Sequence, residues 1–496
     1  MSAGVKTVGD IVELTEDLSS SPLHNADIAP TRAQDRRWGR WDIAALWVGM
    51  SVCIPTYMLA SGLISSGMNW WQAMVTILLG NAIVLLPMTL NAHAGTKYGI
   101  PFPVYCRASF GTMGAHIPSV LRGLVACGWF GIQTWIGGWA IYTGLAIFFP
   151  SWTTLPNVIA GINVPQFVCF MGFWALNMGI FWKGMESIRS IEDWGAPLLL
   201  GMGLLLLGWA YVKGGGFGPM LSQPSQFAPG GPKEGQFWAM FFPSLTAMVG
   251  FWATLSLNIP DFTRFAKSQR EQVLGQAIGL PTTMTLYAFI GVAVTSATAV
   301  IFGETIWDPI VLLSKFTNPV VVVLSMLGLT LATLTTNLAA NVVSPAVGFS
   351  NVAPKKLSLR MGGLVTGIIG ILIQPWKLVA DPTGYIFTWL IGYSALLGAI
   401  AGVLLSDYFL VNQAKLDLPE LFKEDGKYSY RGGVNPIAVV ALVLGIAPCV
   451  PGFLATVKVA AFGSFWTSLY NYAWFVSFFI SGAVYWAGTK YLGGNK

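Results

Sequence analysis

The chain has 496 residues, of which 54% are hydrophobic and only 10% charged, with a formal net charge of +6. Soluble domains carry about 25% charged residues, so this composition excludes an ordinary soluble protein and points to an all-α integral membrane protein. No Walker motif or dinucleotide fingerprint occurs, which argues against an ATP-driven pump, and Cys53, Cys106, Cys127, Cys169 and Cys449 show no metal-ligand spacing.

The first 37 residues are polar, with acidic and Ser-rich patches, and lack the apolar core and cleavage site of a signal peptide. They read as a mobile tail. Twelve apolar stretches follow, centred near residues 54, 80, 132, 173, 203, 247, 288, 331, 368, 395, 443 and 477. Charged residues are absent from 43 to 96, from 123 to 182 and from 316 to 354. One spanning helix needs about 20 apolar residues, so each of the first two stretches holds two. The ninth span, Met361 to Trp376, is short. Lys and Arg set the orientation. Only Lys213, Lys233, Lys315, Lys377 and Lys458 of the 27 fall outside, whereas Arg32, Arg36, Arg37 and Arg40 directly precede the first span. Both termini are therefore expected in the cytoplasm and the chain in the cell membrane. The positive charge is a topology signal, not a mark of nucleic-acid binding.

Two spans are interrupted at an Ile-Pro dipeptide, Ile54-Pro55 in the first and Ile259-Pro260 in the sixth. Proline removes a backbone donor and clashes with the preceding turn. In lipid the freed groups must be satisfied by protein, water or ligand. Paired interruptions in corresponding places of two halves point to a transporter's binding site; isolated proline kinks are the plainer alternative. In the third span Trp129 and Gln133 are four apart on one helical face. An indole beside an amide suits a flat heterocycle, although a packing Trp beside an interhelical Gln would look the same. Phe251 and Trp252 precede the second interruption and could close the other face of a stacked ring. The eighth span carries Thr335, Thr336, Asn337 and Asn341 in an otherwise apolar run. Hydroxyls together with carbonyls freed at a helix break can ligate sodium. No Asp, Glu or Lys stands in the middle of spans 1, 3, 6 or 8. Proton relays usually use such groups, so sodium is favoured over the proton, with His93 the first residue to test otherwise.

Several motifs resemble the nucleobase:cation symporter-1 family of purine, pyrimidine, allantoin and hydantoin permeases. They are Asn91 through Pro103, Trp129 through Gln133, Leu257 through Arg264, Asn337 through Pro345, and Ser406 through Phe409. The resemblance implies two inverted five-helix repeats with broken helices 1 and 6, followed by two C-terminal helices. On that pattern residues 1–37 are the tail, 38–214 and 235–411 the repeats, and 432–496 the last two helices and tail. It also implies that Trp129 and Trp252 sandwich the substrate ring while Gln133 and Asn341 read its edge. Sodium would lie on the carbonyls of Gly49, Val52 and Ala332 and the hydroxyls of Thr335 and Thr336. Two positions depart from the pattern. Cys53 stands where relatives often have Gln or Asn, and a thiol is a weak hydrogen-bond group. Phe251 stands where the hydantoin permease has glycine. Both suit a compact ring such as uracil.

The expected function is symport of a nucleobase-like heterocycle, uracil favoured, coupled to sodium or a proton, with no other cofactor and no enzymatic activity. An allantoin or hydantoin permease is the alternative within the family. An uncoupled channel or facilitator and a membrane-embedded enzyme are the alternatives from other classes.

Overall fold

The computed structural model describes residues 4–183, 185–352 and 356–492; the last four residues of the expected C-terminal tail lie outside them. The chain opens with an antiparallel hairpin, β1 (Val5–Val8) and β2 (Ile11–Leu14), in which Val5 pairs with Leu14 and Val8 with Ile11. The expectation of a mobile tail is corrected here. Ile28 is fully buried, and Arg36 donates to the carbonyls of Val12, Thr31, Thr96 and Lys97. Arg107 reaches Leu23 O at 3.0 Å, and Arg264 reaches Asp27 O at 3.1 Å. The polar segment is ordered because its backbone carbonyls pair with buried guanidinium groups. The end of the bundle on which it lies is termed the tail side.

The helical bundle begins with α1 (Arg40–Ser51) and α2 (Ile54–Ser65), which are bent by 61° to each other across Val52 and Cys53. Pro55 stands in the first turn of α2, where its missing N–H is harmless. Then follow α3 (Trp70–Tyr98), α4 (Phe102–Phe110), α5 (His116–Ala146), α6 (Val164–Lys183), α7 (Met185–Lys213) and α8 (Phe217–Leu221). Asn69 and Gln72 form a reciprocal cap at the start of α3, and Gly99 ends it at φ 69°, a left-handed conformation that glycine adopts without strain.

The second half runs through α9 (Phe237–Asn258), α10 (Pro260–Thr263), α11 (Gln269–Phe302), α12 (Pro309–Ser314), α13 (Pro319–Thr336) and α14 (Val343–Val352). A π-helical stretch, Asn337–Val342, joins α13 to α14 in one continuous rod. Next come α15 (Leu359–Leu372), α16 (Pro375–Leu378), and α17 (Ile391–Leu405) between the π-helical stretches Gly384–Leu390 and Ser406–Val411. The chain closes with α18 (Pro436–Ile446), α19 (Val450–Thr456), α20 (Ser464–Tyr470) and α21 (Ala473–Tyr491). The two halves interleave: α1 and α2 pack on α11, α3 packs on α9 and α11, and α5 packs on α13.

Among the described residues, eight helices are long and apolar enough to cross a membrane, or nine if the bent α1–α2 pair is one span. The other expected spans are helical but shorter or more polar. The apolar part of α7 is Pro197–Lys213, α15 is only 14 residues long, and α21 carries Ser477, Ser481 and Lys490. The second Ile-Pro interruption also differs from expectation. α9 runs unbroken past Phe251 and Trp252, and Ile259 separates it only from the single turn of α10. Proline at a helix start costs little, so this dipeptide ends the sixth span instead of breaking its middle.

Candidate functional site

A cavity of about 50 Å³ lies where the α1–α2 break, α5, α9 and the α13–α14 rod converge. A single water needs roughly 10–15 Å³, so the space exceeds that of one water. Met50, Cys53 and Pro55 reach it from the break. From α5 come Arg122, Ala126, Trp129 and Gln133, whose spacing of four, three and four residues keeps them on one face. From α9 come Phe251, Trp252, Thr254 and Leu255, and from the rod Thr336, Ala340 and Asn341. Every residue expected to contact substrate thus lines one cavity.

The aromatic walls are almost closed from solvent: Trp129 and Phe251 are each 7% exposed and Trp252 is 3% exposed. Phe251 meets both indoles edge-on, with centroids 5.2 Å from Trp129 and 5.0 Å from Trp252. Behind Trp252 stands Trp47 at 5.1 Å. Behind Trp129 stand Trp389 at 5.8 Å, Tyr385 at 6.3 Å and Tyr393 at 6.4 Å. Gly128 permits this approach, since a Cβ there would collide with the Trp389 ring. Tyr385 also donates to Pro55 O at 3.2 Å, and Tyr393 donates to Gly250 O at 2.8 Å. The tenth segment therefore supports the platform and braces both the break and α9. Sequence reasoning missed these three residues, although their spacing of four marks a single helical face.

The polar wall is ordered by a chain of amides. Asn177 on α6 donates to Phe173 O at 2.8 Å, which leaves its Oδ1 to accept from Asn337 at 3.2 Å. Asn337 also donates to Thr134 Oγ1 at 3.0 Å, and its Oδ1 accepts from Asn341 at 3.1 Å. The backbone carbonyl at Phe173 thus sets the orientation of three successive amides. Asn341 is left with its carbonyl oxygen for the cavity. Gln133 Oε1, Trp252 Nε1 and Thr254 Oγ1 are buried without a protein partner. Buried polar groups are rarely left unpaired, and here both acceptors and a donor converge on the cavity. The π-helical turn carries Asn337 and Asn341, and such turns are frequent at functional sites.

The residues expected to hold sodium lie beside the cavity, and of the five only Thr336 lines it. Thr335 Oγ1 and Thr336 Oγ1 both donate to Ala332 O, at 2.7 and 3.2 Å, so the three oxygens are clustered. At the break the Cys53 N–H donates to Ser51 O at 3.0 Å instead of continuing the ladder to Gly49. Val52 follows with a non-helical ψ of 83°. These carbonyls are freed from the helix, as an oxygen ligand set requires. The Cys53 thiol lies 3.2 Å from Thr56 Oγ1 and is engaged within its own helix. His93 is away from this wall, with Nδ1 2.9 Å from the Tyr408 hydroxyl. Among the described residues no group of three His, Cys, Asp or Glu could hold a metal ion. Arg122 was not among the expected site residues.

The family described as permeases for cytosine/purines, uracil, thiamine and allantoin matches residues 30–477. A purine-uracil permease of Arabidopsis thaliana is 47% identical over 477 residues, covering 95% of this chain and 78% of the relative. An allantoin permease of Bacillus subtilis (strain 168) is 40% identical over 465 residues, covering 93% and 92%. Among solved structures, a nucleobase-cation-symport-1 family transporter in a closed conformation with bromovinylhydantoin bound superposes with a TM-score of 0.76. It shares 24% identity and covers 95% of this chain and 96% of its own.

Proposed function

Because the chain belongs to the nucleobase:cation symporter-1 family of membrane permeases, we propose that it imports a compact nucleobase, uracil first, together with a cation, sodium ahead of the proton. The family is one of transporters and not of enzymes. The observation that carries the substrate reading is the pairing of aromatic walls with unpartnered polar atoms. Trp129 and Trp252 offer ring faces, Gln133 Oε1 an acceptor, Trp252 Nε1 a donor, and Asn341 an amide of set orientation. A pyrimidine ring alternates N–H and C=O around its edge, and such a site rejects rings that leave its groups unpaired. Phe251, set against both indoles, narrows the space and favours a small ring over an arylated one.

Coupling follows from position. The freed Gly49 and Val52 carbonyls and the Thr335, Thr336 and Ala332 oxygens would hold sodium between the first and eighth spans. A bound cation there would neutralise oxygen dipoles on both sides of the break. The residues themselves do the rest: the α1–α2 break and the rod meet at the substrate cavity, so ordering one orders the other. The two halves would then rock around the cavity to expose it to either side in turn. The chain would sit in the cell membrane with both termini in the cytoplasm, as the placement of Lys and Arg favours.

Allantoin is the second reading, supported by the 40% identical relative, since its ureide edge offers the same alternation of N–H and C=O. Uptake of labelled uracil, cytosine, adenine, hypoxanthine, allantoin and hydantoins into proteoliposomes, with and without sodium, decides between them. Sodium-stimulated uracil uptake is expected, and Gln133→Leu should abolish it. Preference for allantoin would establish the second reading, and counterflow indifferent to any cation gradient would show an uncoupled facilitator.

A further inference from the structure

Arg122 lines the tail-side end of the cavity, on the same face of α5 as Trp129 and seven residues before it. At 1.5 Å per residue that is about 10 Å toward the tail side. It is 3% exposed, no group among the described residues accepts a hydrogen bond from its guanidinium, and its Nε is sealed from solvent. Two other buried arginines of this side are served by named acceptors. Arg107 reaches Leu421 O, Leu23 O and Asn351 Oδ1, and Arg36 reaches four backbone carbonyls. The Asp261 carboxylate acts on Arg122 only through space. Its own oxygens take Phe102 N–H at 2.7 Å and Asn258 and Ser344 at 3.2 Å each. A buried charge without partners is strongly unfavourable, so a guanidinium on the cavity wall that no described residue serves calls for an acceptor arriving through the cavity.

On the same cavity wall α9 presents Thr254 Oγ1, buried and unpartnered. A planar fork of donors sharing a cavity with an unpartnered hydroxyl matches a ring with two adjacent acceptors and a neighbouring N–H. We propose that Arg122 forms a second ligand subsite, on the tail side of the indole layer, that takes the paired carbonyl and ring-nitrogen acceptors of a 6-oxopurine. Arginine reads the same O6/N7 pair in guanine with two parallel hydrogen bonds. Neutral uracil has no such adjacent pair and is held by the indole layer alone. The subsite thus assigns to Arg122 the recognition of the purine edge that uracil lacks, and it rests on the reading of this cavity as a heterocycle site.

The test compares hypoxanthine with 7-deazahypoxanthine, in which N7 is replaced by C–H, on the purified full chain by titration, with uracil as the control. Wild type should bind hypoxanthine at least tenfold more tightly than the deaza ring. In Arg122→Gln that gap should collapse to under twofold while uracil affinity changes by less than threefold. Arg122→Lys keeps the charge but loses the fork, so it should show an intermediate gap, and it serves if the Gln variant does not fold. Equal wild-type affinities for the two purines, or a gap that persists without the arginine, overturn the subsite. Wild type that binds uracil but not hypoxanthine overturns it as well. Protein that binds none of the three probes overturns the heterocycle reading itself and the subsite with it.

Discussion

Asn341 donates a hydrogen bond to Asn337 Oδ1 at 3.1 Å, one turn back along its own rod. That contact decides which end of the Asn341 amide faces the cavity, and the choice is anchored through Asn177 on a backbone carbonyl of a different helix. Replacing Asn337 by Leu should free the Asn341 amide to rotate and lower uracil affinity by about fivefold, the ~1 kcal/mol of one oriented hydrogen bond. Asn177→Leu should lower it less, in the same direction, although Asn177 does not line the cavity. Calorimetric titration checks both, and an unchanged affinity in Asn337→Leu removes the orienting role.

Phe251 separates the two indoles. Phe251→Gly should admit rings with a bulky substituent, such as a benzylhydantoin, that the wild type excludes. Trp129→Ala or Trp252→Ala should each weaken uracil binding by ~1–2 kcal/mol, roughly tenfold. Competition of labelled uracil by the two ligands reads both effects at once. Full affinity in either alanine variant, in correctly inserted protein, would dismiss the stacking role.

Thr335 and Thr336 share the Ala332 carbonyl. Changing both to Val keeps their shape and removes two oxygens. Coupled ligands must affect one another's affinity reciprocally, so sodium should tighten uracil binding in the wild type and have no effect in the double variant. Titrations in potassium or choline at equal ionic strength, at several pH values, complete the comparison. An affinity that ignores sodium and follows pH would transfer the coupling role to a proton.

Arg36 holds the N-terminal segment against the end of α3 through carbonyls of Thr31, Val12, Thr96 and Lys97. Arg36 is 4% exposed, and burial holds its pKa down to about 10. Arg36→Met should leave these carbonyls unpaired and release the segment, and Arg36→Lys should rescue little because one ammonium cannot span four acceptors. Limited proteolysis should then cut within the first 35 residues at least several times faster than in the wild type.

Asp308 caps α12 by accepting from Ile310 and Val311 N–H groups at 2.8 and 3.4 Å. Burial nevertheless pushes its carboxyl up to about 6, with the two N–H groups opposing the rise. The unfolded value is about 4, so between these values the folded chain binds more protons than the unfolded one. Its contribution to stability is therefore fully present below about pH 4 and is lost as pH rises through about 6. Asp308→Asn keeps a good cap and should flatten the dependence of Tm on pH across that window. A slope that survives the substitution would assign it to another group.

Much of the fold was open to local reasoning because its causes are local. Apolar runs of spanning length must be helical where lipid offers no hydrogen bonds. Pro55 marks the α1–α2 break because proline is excluded from a helix interior but tolerated in a first turn. The α5 face bearing Trp129 and Gln133 follows from the helical period alone, and so do the paired positions Asn337 and Asn341. The second Ile-Pro shows the limit: Pro260 has the same chemistry as Pro55, but it falls where α9 is already ending. Position along the finished helix, not residue type, decided its effect.

The sequence by itself determined that the chain is membrane-embedded, where its helices run and which residue types each face offers. Those properties depend on neighbours within a few turns. Only the tertiary structure decided which faces meet. Asn177 orients Asn337 from 160 residues away, Tyr385 and Tyr393 brace the break and α9, and polar tail carbonyls receive buried arginines. Arg122 shows this most sharply. Composition made it one charge among many, whereas packing buried it on the cavity wall with its Nε unpartnered among the described residues. The free energy of a buried polar group depends on whether a partner arrives from another part of the chain, and no local pattern encodes that.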